Sequence, residues 1–280
     1  MRIAISAETT IDLTEELKER YDIKTTPFTV ILGDRDGFDG DITPVDIFEF
    51  VNKTNTLPKT SAVNEYQYVE HFTNLLKNYD AIIHFSLSSK VSSACNNAKS
   101  ASQNFKDVYV IDTLSLSTGI ALLAIYAREL ANQNMSPREI FVECCQRVKH
   151  VQASFVLKRV DYLYKGGRCS AMAYLGANLL QIRPQIILNE GKMLAGKKFR
   201  GNYQKVVLNY CNEVLDEFKT PDLSHVFLTY TTANNSIIQS VVSILEERGF
   251  KNIHITRAGA TITSHCGEDC LGILYLNDGK

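Results

Sequence analysis

"AIIHFSLSSKVSSACNNA", residues 81–98, decides the fold class. Its first seven residues are an almost unbroken apolar run, as expected of a strand buried on both faces, and the segment from Val91 to Ser102 reads as a helix. A hydroxyl-rich turn separates the two. The next stretch repeats the pattern: "VYVID" (108–112) is strand-like, and "TLSLSTG" leads into the apolar helix "IALLAIYAREL". Strands separated by helices predict an α/β fold whose parallel sheet carries helices on both faces. Ligands of such sheets usually lie beyond the carboxyl ends of the strands.

Working outward, "RIAIS" (2–6) is a strand, "DLTEELKERY" (12–21) an amphipathic helix, "TTPFTVILG" (25–33) a strand and "DGFDGD" (36–41) a loop. Thr43, Pro44 and Asp46 fit the cap, first residue and acidic first turn of a helix. Asn64 with Gln67 reads as a capping box for a helix repeating Tyr68, Phe72 and Leu76. Ser136-Pro137 with Glu139 opens another helix, after which a second domain is expected. The division is 1–150 and 151–280. The second domain reads as mixed α/β: a strand over 153–158, a small apolar helix "AMAYLGANLLQ" (171–181), and a hairpin in "PQIILNEGKMLAGK" (184–197). A helix (203–218), a strand (225–231), a helix closed by Gly249 and two further strands complete it.

Thirty Lys and Arg against 31 Asp and Glu, without a block of like charge, leave no electrostatic footprint for nucleic acid. "MRIAISAETT" has too short an apolar run for a signal peptide or spanning helix, so a cytoplasmic location is expected. Seven irregularly spaced cysteines read as reduced thiols, and the absence of a CxxC pair argues against a metal. No GxSxG, GxxxxGK[ST] or strand-following GxGxxG is present, so a serine hydrolase, a P-loop enzyme and a dinucleotide cofactor are not expected.

The hydroxyls then need an explanation. Thr60 and Ser61 precede one predicted helix, and Ser92 and Ser93 lie at the start of another. Unpaired N–H groups and the positive dipole end at a helix N-terminus attract anions, so these side chains could hold a carboxylate or phosphate. Simple capping accounts for either cluster taken alone.

An ordered series of stretches carries a family resemblance: "AETTIDL" (7–13), "DGFDGDI" (36–42), "PKTSAVN" (58–64), "SSKVSSACNNA" (88–98), "IDTLSLSTG" (111–119), "YLYKGGRCS" (162–170) and "ITSHCGED" (262–269). Together they resemble the DegV family, which includes the fatty-acid-binding subunits of bacterial fatty acid kinase. The resemblance implies a two-domain carrier, not an enzyme, with a long-chain fatty acid in a tunnel of the C-terminal domain and its carboxylate between the domains. By position, Thr60, Ser92 and His265 would bind the carboxylate, with Ser61 and Ser93 as neighbours able to contribute, and Arg168 and Arg200 as basic residues near the head group or a partner kinase. "AMAYLGANLL" and "PQIIL" would supply tunnel walls. The resemblance also implies a fatty acid kinase subunit as partner, in the service of phospholipid synthesis, and allows transient contact with a membrane; no cofactor or nucleic acid is implied.

Several positions depart from the family pattern. Glu8 replaces an aspartate, Val63 a proline and Ser93-Ala94-Cys95 a Gly-Thr-Tyr. The last loop carries Glu268 and Asp269, which would weaken anion binding if they pointed inward. The competing reading is a small-molecule enzyme using the same cleft with His265 as acid–base.

Overall fold

The computed structural model describes residues 1–169 and 182–279. In the first half the chain runs β1 (Ile3–Glu8), α1 (Glu15–Arg20), β2 (Ile23–Thr26), β3 (Thr29–Leu32), β4 (Arg35–Phe38), α2 (Pro44–Thr54) and β5 (Lys59–Ser61). It continues with α3 (Glu65–Leu76), β6 (Ala81–Ser86), α4 (Ala94–Ser102), β7 (Val108–Asp112), α5 (Thr118–Asn132) and α6 (Pro137–Arg147). The second half contains β8 (Val151–Leu157), α7 (Asp161–Lys165), β9 (Ile182–Asn189), β10 (Lys192–Arg200) and α8 (Tyr203–Glu217). Then come β11 (His225–Tyr230), α9 (Asn235–Glu247), β12 (Asn252–Arg257), α10 (Ala260–Cys266) and β13 (Cys270–Leu276).

The strands predicted from 81–87 and 108–112 lie in a parallel sheet ordered β2-β1-β6-β7. Every residue of β1 and β6 is buried, which explains their unbroken apolar character. The second half forms a mixed sheet ordered β10-β9-β8-β13-β11-β12, with the expected hairpin as β9–β10 and the last strand inserted at its centre. Helix α5 lies between the sheets, touching β1 and β6 on one side and β8, β11 and β13 on the other. Ten of its fifteen residues are buried, so the main core runs without interruption from Ile5 and Phe85 to Phe155 and Leu274.

The three predicted N-terminal signals close as capping boxes: Thr43 with Asp46, Asn64 with Gln67, and Ser136 with Glu139. Other expectations need correction. The run 25–33 is two strands, because Pro27 lacks the N–H needed to continue a ladder: β2 stays in the parallel sheet while β3 joins a small antiparallel sheet ordered β4-β3-β5. The expected loop at 36–41 begins inside β4, which pairs with β3. Thr60 and Ser61 lie on β5, not at a helix start, with Thr60 opposite Val30. The helix expected from Val91 begins at Ala94. The stretch 262–269, read as a loop, contains most of α10. The helix expected over 171–181 lies outside the described residues.

Candidate functional site

Helix α10 is the keystone of the site, and its own sequence carries no side-chain cap. The caps come from the first half. Asp12 Oδ1 accepts the Gly259 N–H at 2.7 Å, and Asp39 accepts those of Ala260 and Thr261 at 2.8 and 3.1 Å. Two acidic side chains thus meet the N–H groups left unpaired at the start of this helix. Ser117 Oγ donates to the other Asp12 oxygen at 2.5 Å. Burial, with Asp39 nearby adding a smaller push, raises the Asp12 carboxyl to about 8 against the pull of those hydrogen bonds. Ala260 packs with Val30, Ile42 and Ile47, docking the helix on the small sheet.

Held this way, α10 places His265 against Thr60, with Nε2 2.8 Å from Oγ1. Burial first, and then the charge of Arg168, pull the imidazole down to about 4, so the ring is neutral at pH 7. Its Nδ1 is buried without a hydrogen-bond partner among the described residues. A neutral ring carries one proton, and placing it on Nε2 avoids burying an unpaired N–H; we assign that tautomer from the hydrogen-bond network. Nε2–H then donates to Thr60, leaving the Thr60 hydroxyl proton free for a ligand. Gly166 allows the ring to sit there, since a Cβ on it would lie 2.8 Å from both Nδ1 and the Tyr162 carbonyl oxygen.

Thr60, Ser92, Arg168 and His265 line one chamber. Ser92 Oγ accepts from the Ala94 N–H at 3.2 Å and keeps its own proton to donate. Arg168 holds the Gly166 carbonyl through one guanidinium nitrogen at 2.6 Å, which leaves further donors and the charge at the mouth. A second, almost wholly apolar cavity adjoins it, with Phe155 and Leu274 in its wall. The two share Leu116, Ile262 and Cys266. The arrangement offers neutral hydroxyls and one guanidinium to an anion, and hydrocarbon walls to an apolar chain attached to it.

Four of the seven residues singled out in the sequence therefore meet. Ser61 and Ser93 are exposed and line neither cavity, and Arg200 is exposed at the end of β10. Of the expected tunnel walls, 171–180 lie outside the described residues, and 184–188 line neither of these cavities. Asp269 is turned to Lys158 at 2.6 Å and to the Thr232 hydroxyl at 3.1 Å, and neither it nor Glu268 lines the chamber. Asp12 and Asp39 were missed as site residues. Their stretches are family-like, but nothing local indicates that they cap a helix more than two hundred residues away.

Glu8, a departure from the family pattern, is buried behind the chamber. Tyr68 Oη, Ser86 Oγ and the Leu87 N–H donate to it at 2.5, 2.6 and 2.9 Å, and His84 Nε2 lies at 3.2 Å. Burial alone would raise this carboxyl, but the His84 hydrogen bond and charge and the two hydroxyls outweigh it, so its pKa is lowered. Leu87 also lines the chamber, so this network braces its wall.

Two sheets around a shared helix, with a hydroxyl-lined chamber beside an apolar cavity, define the class of α/β protein. The chain belongs to the DegV family, described as uncharacterised protein, whose family model matches residues 2–278. It is 28% identical over 281 residues to the fatty acid-binding protein of Thermotoga maritima, covering 97% of this chain and 96% of that protein. Its fold matches the fatty-acid-binding DegV family protein of Thermus thermophilus with a TM-score of 0.90 at 24% identity, over 99% of this chain and 100% of that one. It also matches the Streptococcus pneumoniae fatty acid kinase B3 protein loaded with linoleic acid, with a TM-score of 0.85 at 20% identity over the same shares. Among the described residues no helix is long and apolar enough to cross a membrane.

Proposed function

We propose that this protein binds a long-chain fatty acid with its carboxylate in the chamber between the halves and its tail directed into the apolar cavity. The observation that carries this reading is the adjacency of the two spaces, whose walls share Leu116, Ile262 and Cys266. The carboxylate receives protons from Thr60 and Ser92, Thr60 is oriented by His265, and Arg168 balances the charge at the mouth. A buried carboxylate without such partners would be prohibitively costly. Each methylene removed from water contributes about 0.8 kcal/mol, so the tail supplies most of the affinity and the head group fixes orientation.

The carboxylate lies near the mouth, where a separate fatty acid kinase can reach it. The protein then acts as a carrier, presenting the acid for conversion to an acyl-phosphate while the kinase supplies nucleotide and metal. The fold shared with the pneumococcal kinase protein supports this part of the reading. Denaturing extraction of the purified protein and mass spectrometry of the released material test binding directly. A near-stoichiometric C14–C18 fatty acid is expected; protein that releases none and takes up none when supplied would overturn the proposal.

A further inference from the structure

Four consecutive residues of α10 include three hydroxyl side chains, and they are not equivalent. Thr263 Oγ1 donates to the Ala258 carbonyl at 3.3 Å and Ser264 Oγ to that of Ala260 at 2.8 Å. Thr261 Oγ1 has no hydrogen-bond partner among the described residues, although Thr261 is only 3% exposed. It lines the chamber that holds Thr60, Ser92 and His265. Hydroxyls in the adjoining cavity are already paired: Ser117 with Asp12, Thr229 with Thr118 and Thr256, and Thr231 with the Cys270 N–H. The Thr261 backbone is pinned by its N–H bond to Asp39.

Buried hydroxyls in native proteins are ordinarily paired, so this one calls for a partner. Thr261 stands one helical turn before His265 on the same face of α10, about 6 Å along the axis. A carboxylate held at Thr60 and His265 would bring the first few carbons of its chain past that hydroxyl. We propose that Thr261 makes the site selective for fatty acids carrying a hydroxyl near the carboxylate, such as 2- or 3-hydroxy acids. The ligand hydroxyl and Thr261 complete each other's hydrogen bonding, whereas an unsubstituted chain leaves Thr261 facing methylenes. This inference rests on the fatty-acid reading above and names the substrate class within it.

The test compares hexadecanoic, 2-hydroxyhexadecanoic and 3-hydroxyhexadecanoic acids by competition binding to delipidated protein, for wild type, Thr261→Val and Thr261→Ser. Wild type should prefer at least one hydroxy acid over its unsubstituted counterpart. Thr261→Val should reduce that preference about ten-fold or more, or about 1.4 kcal/mol, losing the hydroxy acid while gaining the plain one; Thr261→Ser should keep it. Equal weakening of all three acids by Thr261→Val, or an unchanged preference, would overturn the assignment while leaving fatty-acid binding intact. Wild type that binds none of the three would instead overturn the underlying carrier reading, and this inference with it.

Discussion

Thr60 Oγ1 and His265 Nε2 meet at 2.8 Å although 205 residues separate them in the chain. One sits on an edge strand of the first half and the other on a helix of the second, so this pair forms only when the halves are docked. Two acidic side chains of the first half, Asp12 and Asp39, hold that helix in place. Formation of this pair and docking of α10 on the first half are thus one structural event.

The head-group assignment predicts a large effect from two small changes. Thr60→Val with Ser92→Ala removes two donors to a charged acceptor, each worth about 1.5–3 kcal/mol. Fatty-acid affinity should fall roughly a hundred-fold or more; Thr60→Val also leaves the His265 Nε2–H without its acceptor, so stability should fall by about 1–3 kcal/mol. Competition with a fluorescent fatty acid measures the first and calorimetry the second; retained affinity would remove both residues from the site. Ser61→Ala, Ser93→Ala and Arg200→Ala, whose side chains lie outside both cavities, should leave affinity within about two-fold, a difference of a few tenths of a kcal/mol.

Asp12 predicts a pH dependence of stability with a definite sign. Its folded pKa of about 8 lies above the ordinary 3.8. The folded protein therefore holds a proton that the unfolded chain releases, and this contribution is complete below about pH 4 and lost as pH rises through 8. The loss amounts to a few kcal/mol at most, from about 1.4 kcal/mol per pH unit over which the proton is retained. Asn at this position keeps an acceptor for Gly259 and does not titrate. Thermal midpoints measured from pH 5 to 9 should decline more steeply for wild type than for Asp12→Asn; parallel curves would show that Asp12 is not the group responsible.

How far the sequence reveals this molecule depends on the range of the interactions involved. The capping boxes at Thr43, Asn64 and Ser136 are complete within four residues, and all three are legible. The parallel sheet is legible because strands buried on both faces must be continuously apolar. By contrast, β5 is three residues long and is defined by pairing with β3, so Thr60 looks like the approach to a helix. Helix α10 is hidden because its N-terminal partners are Asp12 and Asp39. The motif resemblance brought His265 to Thr60 and Ser92 where local patterns could not; Ser61 and Ser93 came in with the local hydroxyl clusters and Arg200 with the resemblance, and none of the three lines either cavity.

The buried Glu8 network should be intolerant of even an isosteric change. Glu8→Gln replaces one accepting oxygen with an NH2 group that must face Tyr68, Ser86, His84 or the Leu87 N–H, all placed as donors to a carboxylate. Leaving one or two such groups unsatisfied costs on the order of 2–4 kcal/mol. Chemical denaturation should show a lower midpoint at unchanged slope. The lowered pKa adds a check: the Glu8 contribution is present above about pH 4.5 and lost as pH falls through the folded value, so the wild-type advantage should shrink in acid. A stability change below about 0.5 kcal/mol would place the residue among ordinary surface positions.

The first glycine of "KGGR" leaves no room for a side chain. A methyl group at Gly166 would lie 2.8 Å from His265 Nδ1 and 2.8 Å from the Tyr162 carbonyl oxygen, the second of which is backbone in α7 and cannot easily yield. In Gly166→Ala, relief must come largely from the imidazole. Moving that ring lengthens its 2.8 Å contact with Thr60 and misdirects the Thr60 proton. Overpacking of this kind costs about 1–3 kcal/mol in stability, and fatty-acid affinity should fall with it by roughly ten-fold, the equivalent of one weakened hydrogen bond to a charged group. Combining Gly166→Ala with Thr60→Val separates the two effects. If the glycine acts through His265 and Thr60, the double variant should lose little more affinity than Thr60→Val alone, while the stability cost persists. Fully additive affinity losses would mean that Gly166 affects binding by another route.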